Sequence, residues 1–273
     1  MKNRMFILML MLVAIILSCK KKNTDQALPL YSGSSLIKSI HVTDTIGRNL
    51  LFNIHYYDSL ERVIRISETI YSNLTDSTNF IYTIEYYPGK VVMKKANANS
   101  QFYEKLIYNL NSNGLAEFFV RYEFNSPQDS TMEESYNFQY NSEKYLITQI
   151  GSIPGGSSVT STYQYTNLNV VSINFISTTG HASKQLYYYN GAQHNTIGNF
   201  NTGMYFLGNS CYNSVIQSSM DSSNLVLSRY SYNYDANNNI TQCTINGMWP
   251  MPCLSWASVP VLTSKEIIHY TYY

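Results

Sequence analysis

Tyr230-Ser231-Tyr232-Asn233-Tyr234-Asp235-Ala236-Asn237-Asn238-Asn239-Ile240-Thr241-Gln242-Cys243 is the stretch whose reading decides the fold. Tyrosines at every second position share one face of an extended strand, because side chains alternate across a pleat. Asp235 and three asparagines follow. Their short side chains bond the nearby backbone and favour a tight reversal. A second strand begins at Ile240. In simple register around the turn, Tyr232 faces Cys243 and Tyr234 faces Thr241. Asp235-Ala236-Asn237-Asn238-Asn239 imitates the start of a calcium loop, but Ile240 stands where glycine is needed and Asn246 where glutamate is needed. It reads as a turn.

Weaker copies of this unit run along the chain. Tyr57, Tyr87, Leu110, Tyr140, Tyr165 and Tyr189 each end a strand-like run and stand at or beside turn residues such as Asp58, Pro88-Gly89, Asn111, Asn141, Asn167 and Asn190-Gly191. Composition agrees: there are 26 Tyr and 11 Phe but 2 Trp, and only 13% of residues are charged, about half the usual share. The pattern predicts an all-β chain, a large, strongly curved antiparallel meander of hairpins forming an open barrel-like sheet. A sheet of about 14 to 18 strands must curl or split. The alternative is a β-sandwich. Residues 192–212 are turn-rich and read as a loop excursion. A membrane-spanning barrel is disfavoured, because Tyr is spread along the strands and a run such as Thr160–Thr166 (TSTYQYT) offers lipid no aliphatic face.

Lys2 and Arg4 precede an apolar run from Met5 to Leu17. That is short of the roughly 20 helical residues that span a bilayer, and it has the length of a signal-peptide core. Ile16-Leu17-Ser18-Cys19 follows, and it resembles the lipobox of bacterial lipoproteins. The resemblance implies a signal peptide over 1–18, lipidation of Cys19, and a membrane partner reached through that lipid. Lys20 rather than Asp after the cysteine resembles the outer-membrane sorting pattern, with the facing leaflet open. Residues 19–34 hold the lipidated Cys and a flexible tether rich in Lys, Asn, Ser and Gly. Residues 35–273 form a single antiparallel β domain.

The pattern Tyr-x-Tyr-[Asp/Asn]-x-x-[Gly/Asn/Lys]-[Leu/Ile], best kept at Tyr232–Ile240, resembles the tyrosine-aspartate repeats of bacterial surface and toxin-shell proteins. Lipobox and degenerate repeats together look like bacterial lipoproteins with a porin-like curved antiparallel sheet.

Cys211, Cys243 and Cys253 remain after Cys19. A Cys243–Cys253 disulfide is the first expectation and Cys211–Cys253 the second; three reduced thiols are the rival. Trp249 and Trp256 flank Pro-Met-Pro and could stack against a ligand such as a sugar ring, though a plug over one end of the sheet is the simpler role. No catalytic motif is present, and no cofactor or metal set is expected. His55 and His269 stand in strands, and His181 and His194 lack acidic partners at ligand spacing. Net charge is +1, which offers nucleic acid no basic surface. The expectation is a lipid-anchored envelope domain that binds or scaffolds a glycan or envelope protein. The alternatives are an envelope glycan hydrolase with dispersed carboxylates, and a shell component whose end strands pair with each other or with a neighbour.

Overall fold

The computed structural model describes residues 36–72, 76–97, 102–126, 129–199, 201–209, 211–220, 225–247 and 265–273. They form sixteen strands: β1 (Ile37–Asp44), β2 (Asn49–Tyr57), β3 (Val63–Tyr71), β4 (Ser77–Tyr87), β5 (Lys90–Asn97), β6 (Phe102–Leu110), β7 (Ala116–Ser126), β8 (Asp129–Tyr140), β9 (Leu146–Ser152), β10 (Ser158–Thr166), β11 (Asn169–Ser177), β12 (Ala182–His194), β13 (Asn213–Met220), β14 (Leu225–Tyr234), β15 (Ile240–Gly247) and β16 (Lys265–Tyr272). Each pairs antiparallel with its neighbours in sequence, and β1 pairs with β16. The curved meander therefore closes into a barrel, and its end strands use each other. Closure leaves no edge strand exposed.

Connections alternate between the two ends of such a barrel. One end, the near end, carries the β2–β3, β4–β5, β6–β7, β8–β9, β10–β11 and β14–β15 turns. Four of these share one geometry. The side-chain oxygen of Asp58, Asn111, Asn141 or Asp235 accepts from the backbone N–H groups two and four residues on. The fourth residue of each turn takes positive φ, at Glu61, Gly114, Lys144 and Asn238. A register shift follows at the preceding strand end, as in a type I turn with a bulge. The bulge corrects one expected pair. Tyr232 does face Cys243, but Tyr234 faces Ile240 rather than Thr241. At Pro88-Gly89 the turn is two residues long and Tyr87 pairs with Lys90, so Tyr86, not Tyr87, points inward there.

The repeated tyrosines have a specific task. Near the end of six even-numbered strands a hydroxyl donates to a carbonyl at or near the start of the preceding strand. The pairs are Tyr57 to Ile37 at 2.7 Å, Tyr86 to Val63 at 3.0 Å, Tyr165 to Leu146 at 2.8 Å, Tyr189 to Val170 at 2.6 Å, Tyr232 to Val215 at 2.7 Å and Tyr272 to Ile240 at 2.7 Å. Rings fill the interior while the hydroxyls satisfy carbonyls at the rim.

The interior is packed. Ile40, Val42, Ile173, Tyr230, Ile245 and Ile268 belong to one buried cluster; Ile66, Ile84, Met93, Leu106 and Phe119 belong to another. The outer wall is mixed: Ile107 pairs with Val92 and Val120 there, Ile176 and Tyr188 are exposed, and polar pairs stand beside them. Thr69 bonds Asn79, Ser39 bonds Thr271, Asn233 bonds Gln242, and Lys94 pairs with Glu85. In β10, Ser161, Tyr163 and Tyr165 face in, while Thr160, Thr162 and Gln164 face out.

The segment joining β12 to β13 is not an excursion into solvent, as its turn-rich sequence suggests. It folds across the near end as a plug. Ile197, Met204, Phe206 and Cys211 are buried, Met204 and Phe206 in one apolar cluster and Ile197 and Cys211 in the other. Its backbone is tied to the rim: Asn201 accepts from Ile37 N–H at 2.8 Å, Gly203 from Val63 N–H at 3.3 Å, and Asn209 donates to the Lys144 carbonyl at 2.8 Å. Gly203 has φ +71°, and a Cβ there would lie 2.7 Å from Val63 N and 2.8 Å from Glu61 O. Only glycine permits that approach.

Candidate functional site

Alternation places charge on the inner wall beyond the apolar layer. On β3, β5 and β7 the inward rows read Ile66–Glu68, Met93–Lys95 and Phe119–Arg121, running away from the plug. On β6 and β8 the same level holds Glu104 and Glu134. Five charges thus stand side by side toward the far end. Lys95 Nζ lies 3.4 Å from Glu68 Oε1. Arg121 Nη1 donates to Glu104 Oε1 at 3.3 Å, and Arg121 Nε lies 2.9 Å from Glu134 Oε1 as an ion pair off the hydrogen-bond direction.

Tyrosines interleave with these charges. The Lys95 ammonium sits 4.3 Å from the Phe80 ring centroid and 5.1 Å from that of Tyr82, within cation–π range. Tyr82 donates to Glu68 Oε1 at 3.4 Å, Tyr136 to Glu134 Oε2 at 3.0 Å, and Tyr163 to Gln149 Oε1 at 3.0 Å. Burial, then the neighbouring Glu68 and Glu104 charges, push the Tyr82 phenol well up. Burial, then Glu134, raises Tyr136 to about 12. These hydroxyls stay protonated at neutral pH and act as donors. Water reaches the far end of this wall: Glu123 lies on the inward side by its pairing with Glu104, yet it is exposed.

A concavity of about 360 Å³ lies at the near end between the β6–β7 and β8–β9 turns. Its main amide oxygens, Asn111 Oδ1 and Asn141 Oδ1, are already used by the turns. The inner arc is the better candidate.

Two features of the arc were open to sequence reading and missed. Lys95 follows Val91 and Met93 at the same parity, and Glu104 precedes Leu106 and Tyr108 likewise. A charge that continues an apolar face in period two is the signal. The Arg121–Glu134 pairing needs the inter-strand register, which sequence alone does not supply.

The residues expected from sequence fall elsewhere. Cys243 is a free thiol at 0% exposure, packed inward opposite Tyr232 and Ile268. Burial pushes its pKa up. The expected Cys243–Cys253 bridge is thereby corrected: Cys243 lies within the packed interior and is not bridged. Cys211 is disulfide-bonded. Cys19, Cys253, Trp249 and Trp256 lie outside the described residues. Among the described residues no group of three or more His, Cys, Asp or Glu could hold a metal ion.

No family model matches the sequence, and no curated protein matches it. Solved structures do. A porin-like protein from Bacteroides uniformis superposes with a TM-score of 0.58 at 14% identity, covering 87% of this chain and 98% of that one. The fold is a porin-like antiparallel barrel. A porin-like protein from Bacteroides vulgatus matches with a TM-score of 0.54 at 10% identity, covering 88% of this chain and 99% of that one. At these identities the likeness concerns the fold alone. This porin-like barrel differs from an open pore in two physical respects: its interior is filled by two apolar clusters, and its near end is plugged.

Proposed function

We propose that the chain is a lipid-anchored barrel of the bacterial cell envelope that binds a glycan at its inner charged arc without catalysing a reaction. The observation that supports this reading is the inner arc itself: Glu68, Lys95, Glu104, Arg121 and Glu134 stand with Tyr82 and Tyr136 beyond the apolar clusters that fill the barrel. Thr160, Thr162 and Gln164 on the outer face of β10 offer a bilayer core no aliphatic row, so this reading takes membrane attachment from a lipid. The lipobox Ile16-Leu17-Ser18-Cys19 supplies it, with residues 1–18 removed as a signal peptide and 19–34 as the tether. Two or more acyl chains give stable anchoring where one is marginal. Outer-membrane sorting follows from Lys20.

Glycan binding rests on the chemistry of the arc. Tyrosine rings supply flat apolar faces, and Arg121, Lys95, the carboxylates and Gln149 supply donors and acceptors for hydroxyl groups. A hydrolase reading is weaker. A glycosidase needs one carboxyl held protonated and another placed to act opposite it. Glu104 and Glu134 instead share the Arg121 guanidinium.

The test is an array of bacterial envelope glycans probed with the full chain, followed by titration of the best ligand. Arg121→Gln and Tyr82→Ala should each weaken binding about tenfold or more, roughly 1.4 kcal/mol. Binding unchanged in both variants, or turnover of the ligand into smaller saccharides, would overturn the reading.

A further inference from the structure

The barrel closes where β1 meets β16, and the outer side of that seam carries two imidazoles. His41 and His269 are directly opposed in register. Their ring centroids lie 6.1 Å apart with an interplanar angle of 38°. The alternation that sends Ile40, Val42, Ile268 and Tyr270 into the core sends both histidines outward. His269 is exposed and His41 half-buried.

His41 is already oriented. Its Nε2–H donates to Asn49 Oδ1 at 2.9 Å, which leaves the Nδ1 lone pair available. Phe52 packs edge-on against the same ring at 5.7 Å and 88°. An oxygen acceptor behind the far ring nitrogen is how metal-bound histidines are held in place. Two imidazoles on one cation, with nitrogen–metal bonds of about 2.0–2.1 Å, put their centroids roughly 5–6 Å apart. The observed separation, 6.1 Å, lies at the edge of that range. Gln242, the β15 register partner of His269, stands beside the site with a side-chain amide.

We propose that His41 and His269 together bind one divalent late first-row transition-metal ion, zinc or copper, across the closing seam of the barrel. Imidazole suits both ions. Water completes the coordination, because the site faces solvent. The ion clips the first strand to the last. It binds the paired histidines of the folded chain and not the separated ones of the unfolded chain, so it raises the unfolding temperature by mass action.

The experiment uses the full chain in detergent, without a polyhistidine tag, titrated with zinc chloride and with copper sulfate by calorimetry at neutral pH. One ion should bind per chain. His41→Ala and His269→Ala should each weaken binding at least about tenfold, and Asn49→Ala should weaken it to a smaller degree. The ion should raise the unfolding midpoint of the native chain and leave both histidine variants unmoved. Both side chains lie outside the core, and circular dichroism checks that the variants fold. Absence of saturable binding by the native chain overturns the proposal. So does a His41→Ala variant that binds as the native chain does.

Discussion

Replacing Tyr189 by phenylalanine removes one hydroxyl and leaves the Val170 carbonyl without its 2.6 Å partner. The expected cost is about 1–2 kcal/mol, the penalty for an unsatisfied buried acceptor. Tyr188, its neighbour, faces outward at 45% exposure. Tyr188→Phe should stay within about 0.5 kcal/mol of the native chain. Urea unfolding of the pair measures the difference, and equal stabilities would remove the rim carbonyl bonds from the account. The alternating tyrosines were legible in the sequence, but their partners were not: the Val170 carbonyl lies 19 residues away from Tyr189. His55 makes the second residue-scale prediction. It is 0% exposed, and desolvation lowers its pKa to about 4. An unfolded histidine titrates near 6.5. Between these values only the unfolded chain takes up the proton. Stability from this group is therefore complete above the unfolded value and falls as pH drops toward the folded one, by roughly 3 kcal/mol in all. His55→Leu should flatten that part of a denaturation-against-pH profile. A variant profile that keeps the full slope would assign the loss to other groups.

At the scale of elements, the near-end turns and the plug hold the barrel's shape. Gly203→Ala sets a Cβ against Val63 N and Glu61 O at positive φ, and should cost roughly 1–3 kcal/mol by backbone strain. Gly47 also has positive φ, but a Cβ there meets nothing within 4 Å. Gly47→Ala should cost only the left-handed conformation, about 1–2 kcal/mol at most. Thermal unfolding of both variants compares the two; a larger loss at Gly47 would contradict the plug's tight seating. The turns were legible because Asp and Asn announce their own side-chain-to-backbone bonds. The plug was not. Between Ile197 and Met204 stand Gly198, Asn199, Asn201, Thr202 and Gly203, and only Tyr205 lies between Met204 and Phe206; so short and glycine-interrupted an apolar pattern resembles any surface loop. Its burial is a tertiary event, set by the space that inward-facing rings leave at the barrel end.

For the whole molecule, hairpin repetition made a curved antiparallel meander legible, but closure was not. Whether β1 meets β16 depends on accumulated twist and strand number, which no local stretch encodes. The candidate site was legible only in outline. Period-two placement marks Lys95 and Glu104 as inward, while the sharing of Arg121 between Glu104 and Glu134 depends on register across β6, β7 and β8. The central claim of the proposed function belongs to this scale: a lipid on Cys19, rather than the strands, holds the barrel at a membrane. Fractionation of cells making the Cys19→Ala chain tests this most directly. The account predicts that the variant leaves the membrane fraction and stays in solution without detergent as a folded, β-rich monomer. A variant that remains in the membrane and resists extraction by alkaline carbonate would contradict it.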